Sequence, residues 1–134
     1  MNILQKILKF RKKTPQQQNI EIILNDKEQN EIKEFSGMNK KNRVKKIMIT
    51  GESGNLEHFK LMQYAILYDA DINVKFAALK RIHFFKPHPE LEPMLKKLKD
   101  NYSGNKMEPY FSMAMNRLGL ISQEEFEQII TQAK

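Results

Sequence analysis

"DADINVKFAALKRI", residues 69–82, decides how the rest of the chain is read. Asp69 and Asp71 bracket a tight turn, and Asp71 suits a helix N-cap because its side chain accepts the free N–H groups of the first turn. Val74, Ala77, Ala78, Leu79 and Ile82 then recur on one face at helical spacing. The spacing predicts a helix over 72–84, broken by "KPHP" at 86–89. The stretch is either one ordinary amphipathic helix or one member of a repeating series, and its neighbours distinguish the two.

Upstream, Asn55 is expected to cap a helix over 56–68, with Leu56, Phe59, Met62, Ala65 and Ile66 as its stripe. "NKKNRVKKIMI", 39–49, forms a helix with Val44, Ile47 and Met48 inward, and "TGESGN", 50–55, a turn. Asp26 is expected to cap a short helix over 27–36, with Gln29 as reciprocal partner and Gly37 at its end. Downstream, Leu91, Met94, Leu95 and Leu98 mark a helix ending near Asp100, and "NYSGN" a loop. Residues 106–118 form another, with Pro109 tolerated in its first turn. Ser122 with Glu125 makes a capping box for a last helix whose Phe126, Ile129 and Ile130 face inward.

Three of these segments align: "NRVKKIMIT" from 42, "INVKFAALKRI" from 72 and "EPYFSMAMNRLG" from 108. Val44, Val74 and Tyr110 share one column, Ile47, Ala77 and Met113 a second, Ile49, Leu79 and Met115 a third, and Arg81 coincides with Arg117. Phe59, Pro93 and Phe126 share a column in the other helices. The spacings are 30 and 36 residues for the first column and 34 and 33 for the last. A drifting period in the thirties, made of helix pairs, is the pattern of an α-solenoid, in which each pair buries its stripe only by stacking on its neighbours. An ordinary helical bundle supplies part of the same pattern.

On these residues the chain resembles the HEAT-repeat family. The repeat's first helix ends with an Asp, and its second opens with Val-Arg followed by Ala and Leu positions. Asp69, Asp71, Val74, Lys75, Ala78 and Leu79 fill those places here. The likeness is good over 55–99, fair over 39–54 and 100–134, and poor before 38. Lys75 replaces the usual Arg, which weakens the Asp–Arg ladder often seen between repeats of this family. The resemblance implies an all-α, short right-handed α-solenoid of about three helix pairs. Residues 1–38 would be an atypical cap and 39–134 the repeats. It also implies that the second helix of each pair lines a concave face.

The totals fit this class. At 134 residues the chain is read as one domain, long enough to bury a core without a staple. The absence of Cys excludes disulfides, thiolate metal sites and cysteine nucleophiles, and fits a reducing, cytoplasmic compartment. The net charge is +7, from 23 basic residues of which 19 are Lys. A Lys-rich soluble surface accounts for that charge, and so does an anionic partner. The N-terminal "MNILQKILKFRKK" places Ile3, Leu4, Ile7, Leu8 and Phe10 on one helical face. It is too short to span a bilayer, so residues 2–13 are read as a capping helix or a surface-lying membrane helix. Thr14-Pro15 suits a helix start, and "IEIIL" after it reads as helix because no second strand candidate pairs with it.

The catalytic inventory is thin. His58, His83 and His88 are the three histidines, none at metal-ligand spacing, and "GESG" lacks the Gly-Lys-Ser/Thr end of a phosphate loop. No enzyme activity, cofactor or metal is expected. What remains is a surface. Counting outward from the buried stripes, Arg43, Lys46, Asn73, Phe76, Lys80, Ser112 and Asn116 are expected to project from the concave face. Phe76 either anchors a partner there or packs on the neighbouring pair. The partner expected is another protein with an acidic surface, an inhibitor or immunity-type pairing included; the alternative is nucleic acid, its phosphates held by the Lys-rich helices.

Overall fold

The computed structural model describes residues 5–9, 21–102 and 104–132. It opens with an antiparallel pair, β1 (Gln5–Lys9) and β2 (Glu21–Asn25), registered Gln5 on Asn25 and Ile7 on Ile23. This corrects the helices expected at both places. The run before residue 10 fits either period, and it is the strand partner that "IEIIL" had lacked in the sequence. Ile22 and Leu24 are buried while Ile23 is 49% exposed, the alternation of a strand with one face on a core. The helix start expected at Thr14-Pro15 lies outside the described residues.

The remaining described chain is helical: α1 (Asp26–Ser36), α2 (Lys40–Ser53), α3 (Phe59–Tyr68), α4 (Ile72–Arg81), α5 (Leu91–Tyr102), α6 (Glu108–Arg117) and α7 (Gln123–Gln132). Short-range chemistry starts most of them. Asn25, rather than Asp26, caps α1 in a reciprocal box with Glu28. Asn39 caps α2, and Asp71 accepts the N–H groups of Asn73 and Val74 at the start of α4. Asn55 caps a single 3₁₀ turn, Leu56–His58, that leads into α3. A second such turn, Ile82–Phe85, ends α4.

One boundary matters for function. The predicted turn over 50–55 is largely the last turn of α2, which ends only at Gly54 in the left-handed region (φ 60°). Gly51 therefore lies inside a helix. A Cβ there would stand 2.7 Å from Arg81 Cβ, so the missing side chain is what lets α2 and α4 approach.

The helix α3 is the centre of the core. It is buried nearly all round, through Phe59, Leu61, Met62, Ala65, Ile66 and Leu67, and packs on α1, α2, α4 and β2. Around it α2 packs on α4, α4 on α6, α1 on α3, and α7 on α6. Links between these elements join residues 26 to 37 positions apart: Arg43–Asp69, His58–Glu31, Arg81–Glu52, Lys60–Glu90, Tyr102–Ile66 and Arg117–Lys80. The columns are met unequally. Val74, Ile47, Ala77, Leu79 and Met115 are buried, but Ile49 is 72% exposed, and Met48, expected inward, is 40% exposed. Both sit on α2, whose inward face is Ile47, Thr50 and Gly51, and among the described residues no helix covers its opposite face.

Candidate binding face

The inward residues of the row fix what points away. With Ile47, Thr50 and Gly51 buried, Lys41, Lys45, Met48, Ile49 and Glu52 fall on the opposite face of α2 at spacings of three and four. With Val74, Ala77 and Ala78 buried, Asn73, Phe76 and Lys80 face outward on α4. On α6 the outward side chains are Tyr110, Met113 and Arg117. Side chains from all three helices meet in one open groove of about 630 Å³ lined by Lys80, Arg81, Phe84, Met113 and Arg117, with Glu52.

The residues expected on this face divide into three groups. Lys80 and Asn73 are exposed, Lys46 half-buried. Phe76 lies between the helices rather than free: its ring stacks on Tyr110 of α6, centroids 3.9 Å apart, and the Lys80 ammonium stands 5.5 Å from the Tyr110 centroid. Asn116 is half-buried, its amide donating to the Ile121 carbonyl at 3.5 Å. Arg43 and Ser112 do not project. Arg43 Nε donates to Asp69 Oδ2 at 3.0 Å and its Nη1 to the Met38 carbonyl at 2.8 Å. Asp69 is buried, so Arg43 neutralises it and joins α2 to the end of α3. The Asp69 carboxylate is thus paired with the Arg before Val44 rather than with a residue after Val74. Ser112 is 4% exposed because α7 packs over that side of α6.

The basic run at 40–46 marked Lys41 and Lys45 in the sequence, but Ile49 was expected in the core, and Arg81, Arg117 and Phe84 were not expected on the face. The coincidence of Arg81 with Arg117 was the available signal. Each arginine reaches back to the preceding member of the row: Arg81 Nε donates to Glu52 at 2.9 Å, and Arg117 Nη1 to the Lys80 carbonyl at 2.6 Å. Arg81 Nη1 also donates to the Ala77 carbonyl at 3.1 Å, a cation at a helix C-terminus where the dipole favours it. Burial, and then Arg117, hold the His83 imidazole below its usual range against a backbone hydrogen bond at Lys80 that raises it; Lys80, Arg81 and Arg117 are the basic side chains that line the groove beside it.

Among the described residues no group of His, Asp or Glu is arranged to hold a metal ion, and no helix is long and apolar enough to cross a membrane. Comparison with family models, with curated proteins and with solved structures finds no match to this chain.

Proposed function

We propose that the chain is a non-catalytic, HEAT-like α-solenoid that binds an acidic protein through the outward face of α2, α4 and α6. An inhibitor of the immunity type is one form such a protein takes. The links at 26 to 37 residues support the stacked reading, since in such an array each pair touches only its neighbours. The observation that carries the function is on α2: Ile49, 72% exposed, and Met48 stand among Lys41, Lys45 and Glu52. Apolar side chains bracketed by lysines match a protein surface that offers apolar and acidic groups together. Phosphates give Ile49 nothing to bury against. The rings of Phe76 and Tyr110 are already stacked on each other, which favours protein over single-stranded nucleic acid as the ligand.

The test is affinity capture of the tagged protein from its native lysate, with and without nuclease, beside an Ile49→Asp variant. A defined protein at near-equal amount, unaffected by nuclease and lost in the variant, is expected. Because Ile49 is a surface residue, the variant should keep its stability to within about 0.5 kcal/mol. Loss of all captured material on nuclease treatment would instead make the lysines a nucleic-acid site.

A further inference from the structure

The groove at the C-terminal ends of α2, α4 and α6 already holds a carboxylate of the protein's own. Glu52 lies in the last turn of α2, where the helix dipole disfavours a negative charge. Its Oε2 accepts from Arg81 Nε at 2.9 Å, yet the Glu52 side chain is 63% exposed while that of Arg81 is 16% exposed. The cation is therefore built in and the anion is not. Arg81 is packed against Gly51 and bonded to the Ala77 carbonyl. Glu52 has Arg81 as its one polar partner among the described residues and stands in water on its other sides.

Around this pair the groove offers more than one acid uses. Lys80 and Arg117 line it, and Arg117 is anchored through Nη1 on the Lys80 carbonyl. Phe84, 45% exposed, and Met113 supply apolar walls. Three basic side chains and one exposed carboxylate line the groove beside an aromatic ring, a composition suited to a short acidic segment that also carries an apolar side chain.

We infer that the groove is the carboxylate-receiving subsite of the face described above, and that Glu52 occupies it in the free protein and is exchanged for an acidic side chain of the partner. The inference rests on the reading of that face as an acidic-protein site. Exchange of one carboxylate for another conserves the ion pair of Arg81, so the net gain comes from Lys80, Arg117 and the apolar walls. Removing the internal competitor should therefore tighten binding, which a surface attracting anions by overall charge alone does not do at one position only.

The probe is a fluorescein-labelled peptide of alternating Glu and Leu, titrated by anisotropy against the full chain. Glu52→Gln keeps the hydrogen-bonding shape and removes the charge, and it should bind about threefold more tightly. Glu124→Gln on α7 makes the same change in net charge away from the groove, and should bind as the unaltered protein does. Arg117→Ala should weaken binding severalfold, with helix content by circular dichroism unchanged. Equal gains in the two glutamate variants would overturn the local site and leave the acidic-partner reading standing. Competition by inorganic phosphate as strong as by free glutamate would overturn it in favour of a phosphate site. No peptide binding by any variant, with capture still abolished by Ile49→Asp, would remove the groove alone; failure of the capture removes the reading of the whole face.

Discussion

His88 lies flat on Phe59, ring centroids 3.8 Å apart, and its Nδ1 accepts the backbone N–H of Glu90 at 3.1 Å. A nitrogen that accepts cannot carry a proton, so the fold selects the neutral imidazole. Burial lowers the His88 pKa, Glu90 opposes the shift, and Lys60 adds to it. His83 shifts the same way, through burial and then Arg117. In the unfolded chain both titrate near 6.5. Between the folded values and 6.5 the unfolded state therefore binds more protons, and the contribution of these two residues to stability rises with pH across that window. It is complete above 6.5 and lost as pH falls through the folded values. Proton NMR titration should give midpoints below 6.5 for both rings, and urea midpoints should fall between pH 7.5 and 5.5. Midpoints at or above 6.5 would contradict the packing. Tyr102 gives a third residue-scale signature: burial raises its phenol to about 12 while the hydroxyl donates to the Ile66 carbonyl at 3.0 Å.

At the scale of elements, α2 shows how one missing side chain sets a helix–helix distance. In a free helix Ala is better than Gly by about 1 kcal/mol. At Gly51 that gain is opposed, because the new Cβ meets Arg81 Cβ at 2.7 Å and Arg81 Cδ at 2.9 Å. Overpacking of this kind costs about 1–3 kcal/mol. Gly51→Ala is expected to lower stability by about 1–2 kcal/mol in urea unfolding. Gly37 makes the comparison: it caps α1 with φ −81°, and a Cβ there meets nothing nearer than 3.6 Å. Gly37→Ala should be neutral or stabilising by up to about 1 kcal/mol. If Gly51→Ala proves as harmless as Gly37→Ala, the close approach of α2 and α4 is wrong.

Across the whole fold, burial falls from α3 and α4 towards α7. The central helices α3 and α4 have neighbours on both sides, and their inward residues are almost fully buried. At the far end α7 packs on α6 and has no fully buried residue; Phe126, Ile129 and Ile130 are only half-covered. Stability summed from each element and its neighbours predicts that ends open before the middle. Amide hydrogen exchange should be slowest in α3 and α4, faster in α6, and fastest in α7. Uniform protection across α3 to α7 would mean that the chain opens as one cooperative bundle rather than as a stack.

The amino-acid pattern alone was enough for the predominantly helical class from residue 26 onward, the starts of α2, α4 and α7, and the inward stripes of α3 and α4. These follow from short-range physics: caps accept nearby N–H groups, and apolar spacing marks the buried side. It did not determine the pairing of β1 with β2, because an apolar run of a few residues fits both periods until a partner strand is placed beside it. It did not determine that "TGESGN" continues α2, since Gly51 reads as a breaker until Arg81 is set against it. The candidate face was legible in part. Lys80 and Asn73 came from counting outward, but Arg43 and Ser112 were placed wrongly, because their surroundings depend on Asp69 and α7, distant in the chain. Ile49 looked like core for the same reason. Which apolar residues are left uncovered emerges from the packed chain alone, because burial is fixed by what packs against a residue and not by its own identity.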